Sequence, residues 1–98
     1  MIAKIAHFHI LPEHLDESIE LIQQFSRAVH YSEPGTRIYI SLQDKKNRYQ
    51  FKNIMVFDSE GAEEIHSNST NTLEFTEKLH PLCKKKPIFE DFEFIGVI

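Results

Sequence analysis

The sequence has a single cysteine, no tryptophan and only three glycines among its 98 residues. One cysteine cannot form an internal disulfide, and no second cysteine is present to complete a Cys-pair metal site. No apolar run approaches the roughly 18 residues that cross a membrane, and the first residues lack a long apolar core followed by a small-residue cleavage site. We therefore expect a cytoplasmic protein with no membrane partner.

Basic side chains are also scarce. The chain has 11 Lys and Arg against 15 Asp and Glu, a formal net charge of −4, so no broad positive surface is expected for nucleic acid. The one dense basic run, "KKK" at 84–86, is interpreted as a solvated connection. Dinucleotide, phosphate-loop, metal-ligand and serine-nucleophile motifs are absent too, which excludes the enzyme classes that depend on them.

The first half of the chain shows clear hydrophobic periodicity. Residues 1–11 predict a strand whose two faces are both partly apolar, since Ile2, Ala6, Phe8 and Ile10 share one face at a period of two residues. Pro12 then suits the first turn of a helix of about 18 residues, whose apolar stripe recurs every three or four positions. The segment "SEPGT" ends this helix, because the residue before a proline avoids the helical conformation and Gly35 accepts a positive φ. Residues 37–43 and 48–57 alternate again around a polar turn, which predicts a hairpin.

The second half predicts two short helices and a last strand. Asp58 or Ser59 can cap the first of these helices. The side chains expected on one face of it are Ala62, Ile65 and His66. The stripe expected on the next helix is Leu73, Thr76, Leu79 and Leu82. With a strand over 87–98, residues 1–98 form one α+β domain with the ferredoxin-like βαββαβ order and a four-stranded antiparallel sheet.

The predicted strands carry apolar side chains on both faces. Helices on one side of the sheet would leave the other side open to water, so a second copy is the simplest cover, and we expect a homodimer through the open sheet face. His7 and His9 share that face, about 7 Å apart. They could share a metal only with a third ligand that the sequence does not supply, so hydrogen bonding across the interface, with pH-dependent association, is preferred.

Several short motifs follow one another in a fixed order. "AHFHILPE" is a strand that leads to a proline-marked helix start, and "EPG" at 33–35 is followed four residues later by Tyr39. Phe57 ends a strand, Ser59 follows it, and His66 lies four residues beyond an alanine. In this order and spacing the chain resembles, over nearly its whole length, the antibiotic biosynthesis monooxygenase family, which includes quinol monooxygenases and haem-degrading relatives.

The resemblance implies a fold, an assembly and a chemistry. The fold is ferredoxin-like, and the assembly is a homodimer of the dimeric α/β-barrel type with a ligand pocket between sheet and helices in each subunit. The chemistry is monooxygenation of a small aromatic quinol or phenol by O₂ with no metal, flavin or haem. Such a substrate, once deprotonated, passes an electron to oxygen itself, so the protein binds it, assists proton removal and stabilises the anion.

The sequence departs from the family pattern at several positions. Phe57 replaces the strand-ending tryptophan, Met55 replaces a glutamate two residues earlier, and Asn71 replaces a second histidine. Residues 75–77 lack the histidine of the haem-degrading members, so haem degradation is not expected. The first two changes favour the alternative of a non-catalytic protein that binds a small apolar ligand or serves in regulation. A third interpretation is an isomerase or lyase that uses the same pocket.

Three polar residues are candidates for catalysis. His66 can exchange protons near neutral pH, although a histidine in the last turn of a helix can instead bond the free carbonyls there. Tyr39 could donate to a bound oxygen atom or could simply pack. Asn53 interrupts an aromatic strand face, so either a neighbour or a ligand must satisfy its amide. The residues predicted to bind substrate are Phe57, Phe51, Met55 and Phe8.

Overall fold

The structure is a computed structural model that describes residues 1–98, and it contains one four-stranded sheet and three α-helices. The strands are β1 (Ile2–His9), β2 (Thr36–Gln43), β3 (Gln50–Phe57) and β4 (Ile88–Phe92). The helices are α1 (Leu15–Ser32), α2 (Glu60–Asn68) and α3 (Thr70–Leu79). The strands lie in the order β2-β3-β1-β4 and every neighbouring pair is antiparallel. The predicted ferredoxin-like α+β fold is therefore confirmed.

The strand register decides which side chains face the helices. Ala6 pairs with Asn53 on β3 and with Phe89 on β4, and Phe8 pairs with Phe51. Of these five, the four on β1 and β3 are buried. The opposite side of the sheet, the open face, carries Ile38, Ile40, Leu42, Ile88 and Phe92 among its exposed apolar side chains. Both sheet faces are thus apolar, as the alternation indicated.

Helix α1 packs over the sheet with three buried apolar side chains. It begins after a 3₁₀ turn at Pro12–His14, so the regular helix starts three residues later than the proline signal indicated. Its buried apolar residues are Ile22, Phe25 and Val29. The ring of Phe25 stacks on Phe75 of α3 at 4.1 Å between centroids, which joins the two helices over the sheet.

Two serines fix where the two shorter helices begin, and therefore which of their side chains face the core. Ser59 Oγ accepts from the Ala62 amide at 3.1 Å, so Ser59 and not Asp58 is the cap of α2. Ser69 likewise caps α3 by accepting from the amide of Thr72. With α3 beginning after Ser69, its buried residues are Phe75 and Leu79. Leu73 on α3 and Ile65 on α2 are both exposed, so the prediction that they face the core was wrong.

The last strand is shorter than the alternation predicted. β4 ends at Phe92, whereas the pattern indicated strand to residue 98. Phe92 pairs with Ala3 near the beginning of β1, and β1 is the only neighbour of β4. Beyond that point almost no partner backbone remains, so alternation alone cannot extend the sheet.

The prediction for Gly35 was also wrong, because no glycine of the structure has a positive φ. Gly35 is required for a different reason. A Cβ atom at this position would lie 2.7 Å from the Cβ of Ala62, closer than two carbon atoms can approach. The absence of a side chain at Gly35 therefore lets the first turn of α2 pack directly against the turn between α1 and β2.

We expect Gly35→Ala to lower the free energy of unfolding by about 1 to 3 kcal/mol, because the new methyl group forces α2 outward. The variant Ala62→Gly removes the obstructing methyl group, so adding Gly35→Ala to it should cost little more. Urea unfolding of the single and double variants measures this coupling. Gly61→Ala is the matched control, since its new Cβ would have only an ordinary contact at 3.7 Å. Equal costs of Gly35→Ala in both backgrounds would contradict the close-packing explanation.

Candidate active site

A cavity of about 350 Å³ lies between the sheet and the three helices. Its volume is at the lower end of the range for small-molecule sites, which begins at about 300 Å³. The apolar side chains that line it include Ala6, Phe8, Phe25, Met55, Phe57 and Phe75. Among the polar side chains at its wall are His66, Tyr39 and Asn53, so the structure brings the three predicted catalytic residues together.

His66 is held by a buried carboxylate. Its Nδ1 lies 2.7 Å from Oε1 of Glu33, and both side chains are less than a tenth exposed. The same Oε1 accepts a hydrogen bond from the Thr36 hydroxyl at 2.8 Å. An ionised carboxylate only accepts, so Nδ1 of a neutral His66 carries the proton and Nε2 is left as an acceptor at the cavity wall.

The sequence interpretation of His66 as a helix-end residue did not include this partner. In the sequence Glu33 stands out only as part of the "EPG" turn, although the structure buries it to 5% exposure. A carboxylate in that position requires a partner, because burying an unpaired charge is costly. The chain separation of 33 residues hides the pair from any local pattern. The signal that could have found it is the joint occurrence of Glu33 and His66 among the family motifs.

Asn53 is satisfied by its neighbours. Its Oδ1 accepts from the Ser41 hydroxyl at 2.7 Å, and its Nδ2 donates to the Tyr39 hydroxyl at 3.0 Å. Because Tyr39 uses its oxygen as an acceptor here, its own O–H remains available as a donor. The Tyr39 ring lies 5.8 Å from the His66 ring and packs edge-on against Phe25. Asn53 therefore orients Tyr39 beside His66.

The surroundings of Tyr39 keep its hydroxyl protonated. Burial, and then the negative charge of Glu33, hold the pKa of Tyr39 well above its usual range, and the hydrogen bond from Asn53 only partly opposes this. At the pH of any cell the residue is thus a hydrogen-bond donor and not a base. This assigns the two groups different tasks, with Nε2 of His66 as acceptor and Tyr39 as donor.

The raised pKa of Tyr39 predicts a loss of stability at high pH. The folded state favours the neutral phenol, so this contribution is complete below the ordinary tyrosine value of about 10 and is lost as pH rises above it. The free energy of unfolding, measured with urea between pH 8 and 12, should therefore fall less steeply with pH in Tyr39→Phe than in the natural protein. The difference in slope is expected to reach about 1.4 kcal/mol per pH unit. Lys4 and Cys83 also have raised pKa values. Both residues are present in the natural protein and in Tyr39→Phe, so their contributions to the pH dependence cancel in the comparison. Parallel slopes would contradict this prediction.

The predicted substrate-binding residues divide into two groups. Phe57, Met55 and Phe8 line the cavity, and the ring of Phe57 lies 5.2 Å from that of His66. Phe51 does not line it and instead stacks on Phe8 at 5.5 Å within the core. The structure therefore gives Phe51 a supporting position behind the cavity wall.

The two histidines of the open face have partners within the chain. His7 Nε2 lies 2.6 Å from a Glu90 carboxylate oxygen, and His9 Nδ1 lies 3.3 Å from the Gln50 amide oxygen. Nowhere do three or more His, Cys, Asp or Glu side chains form a group that could hold a metal ion. No helix has the length and hydropathy needed to cross a membrane.

A comparison with protein-family models identifies the chain. The model described as antibiotic biosynthesis monooxygenase matches residues 1–78, which include β1 to β3 and all the site residues described above. The chain belongs to the antibiotic biosynthesis monooxygenase family. A comparison with curated proteins gives no match.

Solved structures support the fold of this family member. One described as an antibiotic biosynthesis monooxygenase has a TM-score of 0.91 at 19% identity and covers 98% of this chain and 100% of its own. A Mycobacterium tuberculosis protein has a TM-score of 0.89 at 17% identity, with 98% and 96% covered. A conserved Methanosarcina mazei protein has a TM-score of 0.87 at 20% identity, with 93% and 89% covered. At these identities the similarity concerns the fold alone.

Proposed function

We propose that this protein is a cofactor-independent monooxygenase that oxidises a small phenol or quinol with O₂. One observation carries the proposal: an imidazole Nε2 with no protein partner and a tyrosine hydroxyl whose own hydrogen has no protein acceptor both lie at the wall of an apolar cavity. A phenolic hydroxyl needs both groups, since it donates one hydrogen bond and accepts another. The family membership supports the same reaction class.

The side chains suit the first step, which is proton removal. The substrate hydroxyl donates to Nε2 of His66, which takes the proton as general base. The imidazolium that forms is stabilised by the Glu33 carboxylate at Nδ1. Tyr39 donates to the phenolate oxygen and stabilises its negative charge in a site of low dielectric.

The later steps need only the substrate and oxygen. The phenolate transfers one electron to O₂, and the resulting phenoxyl radical and superoxide then combine at a ring carbon to form a C–O bond, giving a peroxide anion. Cleavage of its O–O bond, with loss of the proton on the same carbon, leaves a quinone carbonyl and one water. One oxygen atom thus enters the product and one enters water. The His66 imidazolium is placed to return the proton that the departing oxygen requires.

A second candidate function is binding without catalysis. The observation that favours it is the apolar character of Met55 and Phe57, which are only 4% and 1% exposed and bring no acidic or indole group to the cavity. A small apolar ligand, in a regulatory or carrier role, would fit the same wall. An isomerase or lyase reaction would also use a base and a donor, and no specific observation of the cavity favours it.

Oxygen uptake with a panel of hydroquinones and naphthols, in the presence of a metal chelator, tests the proposal. We expect uptake clearly faster than in buffer, and one ¹⁸O atom in the quinone when ¹⁸O₂ is used. Uptake no faster than buffer by a protein that still binds these compounds would favour the binding function. Release of hydrogen peroxide without label in the product would indicate simple oxidation and would contradict the proposed monooxygenation.

The proposal includes a homodimer formed through the open face. Ile38, Ile40 and Leu42 of β2 are between 42% and 46% exposed on this face, and such an apolar patch is typical of an interface. Two identical sheets can bury it against each other around a twofold axis. A second copy is favoured over another partner because the family resemblance implies the dimeric barrel.

Ile40→Glu should convert this dimer into a monomer, because the twofold axis brings a charge from each copy into one apolar interface. Sedimentation equilibrium at micromolar concentration measures the mass. Ile65→Glu is the matched control, since Ile65 is 66% exposed on α2, outside the open face, and its replacement should leave the mass unchanged. A natural protein that sediments as a monomer would refute the proposed dimer.

A further inference from the structure

One charged residue interrupts the apolar side of β1. Lys4 lies between Ile2 and Ala6 on the face that the helices cover, and its side chain is only 26% exposed. A charge on a surface of this kind is unfavourable unless something pairs with it. Breaks in a local pattern of this type concentrate at functional positions. Lys4 also belongs to the wall of the cavity, and neither proton removal by His66 nor hydrogen bonding by Tyr39 involves it.

Two carboxylates hold the Lys4 ammonium in place. Its Nζ lies 2.6 Å from Oε2 of Glu63 on α2 and 3.6 Å from Oδ1 of Asp91 on β4. The hydrogen bond to Glu63 raises the pKa of Lys4 despite partial burial, and the charges of Glu63 and Asp91 act in the same direction. An ammonium group has three N–H donors, so at least one remains for a ligand. One positive and two negative charges give the group a net charge of −1.

The strand register places Lys4 two strands away from the donor Tyr39. Lys4 pairs with Met55, and Met55 pairs with Tyr39 on its other side. Neighbouring strands are spaced at about 4.8 Å, so the backbones of Lys4 and Tyr39 are about 10 Å apart across the cavity floor. The floor between them is Met55, an apolar side chain that suits an aromatic ring.

We infer that Lys4, held by Glu63 and Asp91, is a specificity-determining residue that binds a second, uncharged oxygen at the far end of an aromatic ligand. The inference rests on the proposed function, which places the first oxygen at His66 and Tyr39. The spare N–H of Lys4 donates to a hydroxyl or carbonyl there. A carboxylate in the same place is rejected, because the surplus negative charge of Glu63 and Asp91 repels it.

A purely structural role for Lys4 predicts a different behaviour. The Lys4–Glu63 pair joins β1 to α2, and loss of this contact would loosen the cavity wall for every ligand alike. Recognition of a second oxygen predicts instead an effect that depends on the ligand. Three naphthalenes of the same shape separate the two roles: 1-naphthol with one oxygen, naphthalene-1,4-diol with a second, and 4-hydroxy-1-naphthoate with a carboxylate in its place.

The experiment is titration calorimetry of these three compounds under nitrogen, so that binding is measured without turnover. For the natural protein we expect the diol to bind about tenfold more tightly than 1-naphthol, the effect of one hydrogen bond to a charged group, and the naphthoate to bind most weakly. Lys4→Met should reduce the preference for the diol to less than about threefold and leave 1-naphthol nearly unchanged. Glu63→Gln should strengthen naphthoate binding about tenfold, because it removes one repelling charge.

Lys46→Met, the same substitution in the exposed hairpin turn, is the control and should change none of the three affinities. Equal affinities for all three ligands, equal weakening of all three by Lys4→Met, or no binding of any of them would overturn the inference. So would a Glu63→Gln variant that still rejects the naphthoate. Lys4-dependent preference in a protein that consumes no oxygen would uphold the specificity role and remove only the monooxygenase proposal.

Discussion

Replacement of His66 by alanine is expected to lower kcat for oxygen uptake by at least about a hundredfold, the usual contribution of a positioned general base. The change removes Nε2, the group proposed to accept the substrate proton at the cavity wall. It also leaves a hole of imidazole size next to Phe57 and Phe25. Added imidazole should therefore restore part of the rate, an effect that a purely structural histidine would not show.

The matched control is His80→Ala. His80 also lines the cavity but is exposed and has no carboxylate partner, so we expect a change in rate of less than about threefold. Circular dichroism and urea unfolding establish that both variants are folded. A folded His66→Ala protein with the natural rate would contradict the role of general base. In that case the spontaneous acidity of the quinol would suffice, and the protein would act by binding alone.

Glu33→Gln is expected to lower both activity and stability, because neither orientation of the amide reproduces the carboxylate. If the amide oxygen accepts from His66 Nδ1, the new NH₂ takes the place of Glu33 Oε2, which is buried without a hydrogen-bond partner, at a cost of about 1 to 3 kcal/mol. If the NH₂ donates to Nδ1, the proton of His66 must move to Nε2 and the base is lost. We expect kcat to fall by about ten- to a thousandfold, between a positioning and a catalytic effect.

The tautomer of His66 distinguishes positioning from general damage. Nitrogen NMR of His66 reports its tautomer, and the natural protein should show the proton on Nδ1 where Glu33→Gln shows a shift toward Nε2. Glu60→Gln is the control, because Glu60 is an exposed acid in the first turn of α2, the helix that carries His66. It should leave the rate and the tautomer unchanged. An unaltered tautomer together with an unaltered rate in Glu33→Gln would contradict the proposed role of the carboxylate.

Periodicity was sufficient for the larger elements and insufficient at their ends. Helix α1 and the β2–β3 hairpin follow from alternation and from three- and four-residue steps, because these patterns record directly which side chains a helix or strand can bury. The end of β4 at Phe92 depends on where β1 begins, which is a property of the partner strand. The exposure of Leu73 depends on the cap at Ser69, which shifted the phase of α3.

The residues of the site could be predicted from the sequence, but the hydrogen bonds between them could not. His66, Tyr39 and Asn53 were selected because the motifs of the family include the first two and because Asn53 breaks an aromatic face. Their hydrogen bonds join residues 12, 14 and 33 positions apart, so only folding brings the partners together. The question whether a neighbour or a ligand satisfies Asn53 was therefore open until Ser41 and Tyr39 were placed beside it.

The sequence by itself determined the βαββαβ order, the two apolar sheet faces and the family, since each depends on residue type and spacing along the chain. Only the tertiary structure decided that Glu33 orients His66, that Gly35 serves close packing and not a positive φ, and that Lys4 faces Tyr39 across Met55. The physical reason is the same in each case. Hydrogen bonds, steric contacts and charge pairs depend on distances of a few ångströms between remote segments, and local patterns do not contain those distances.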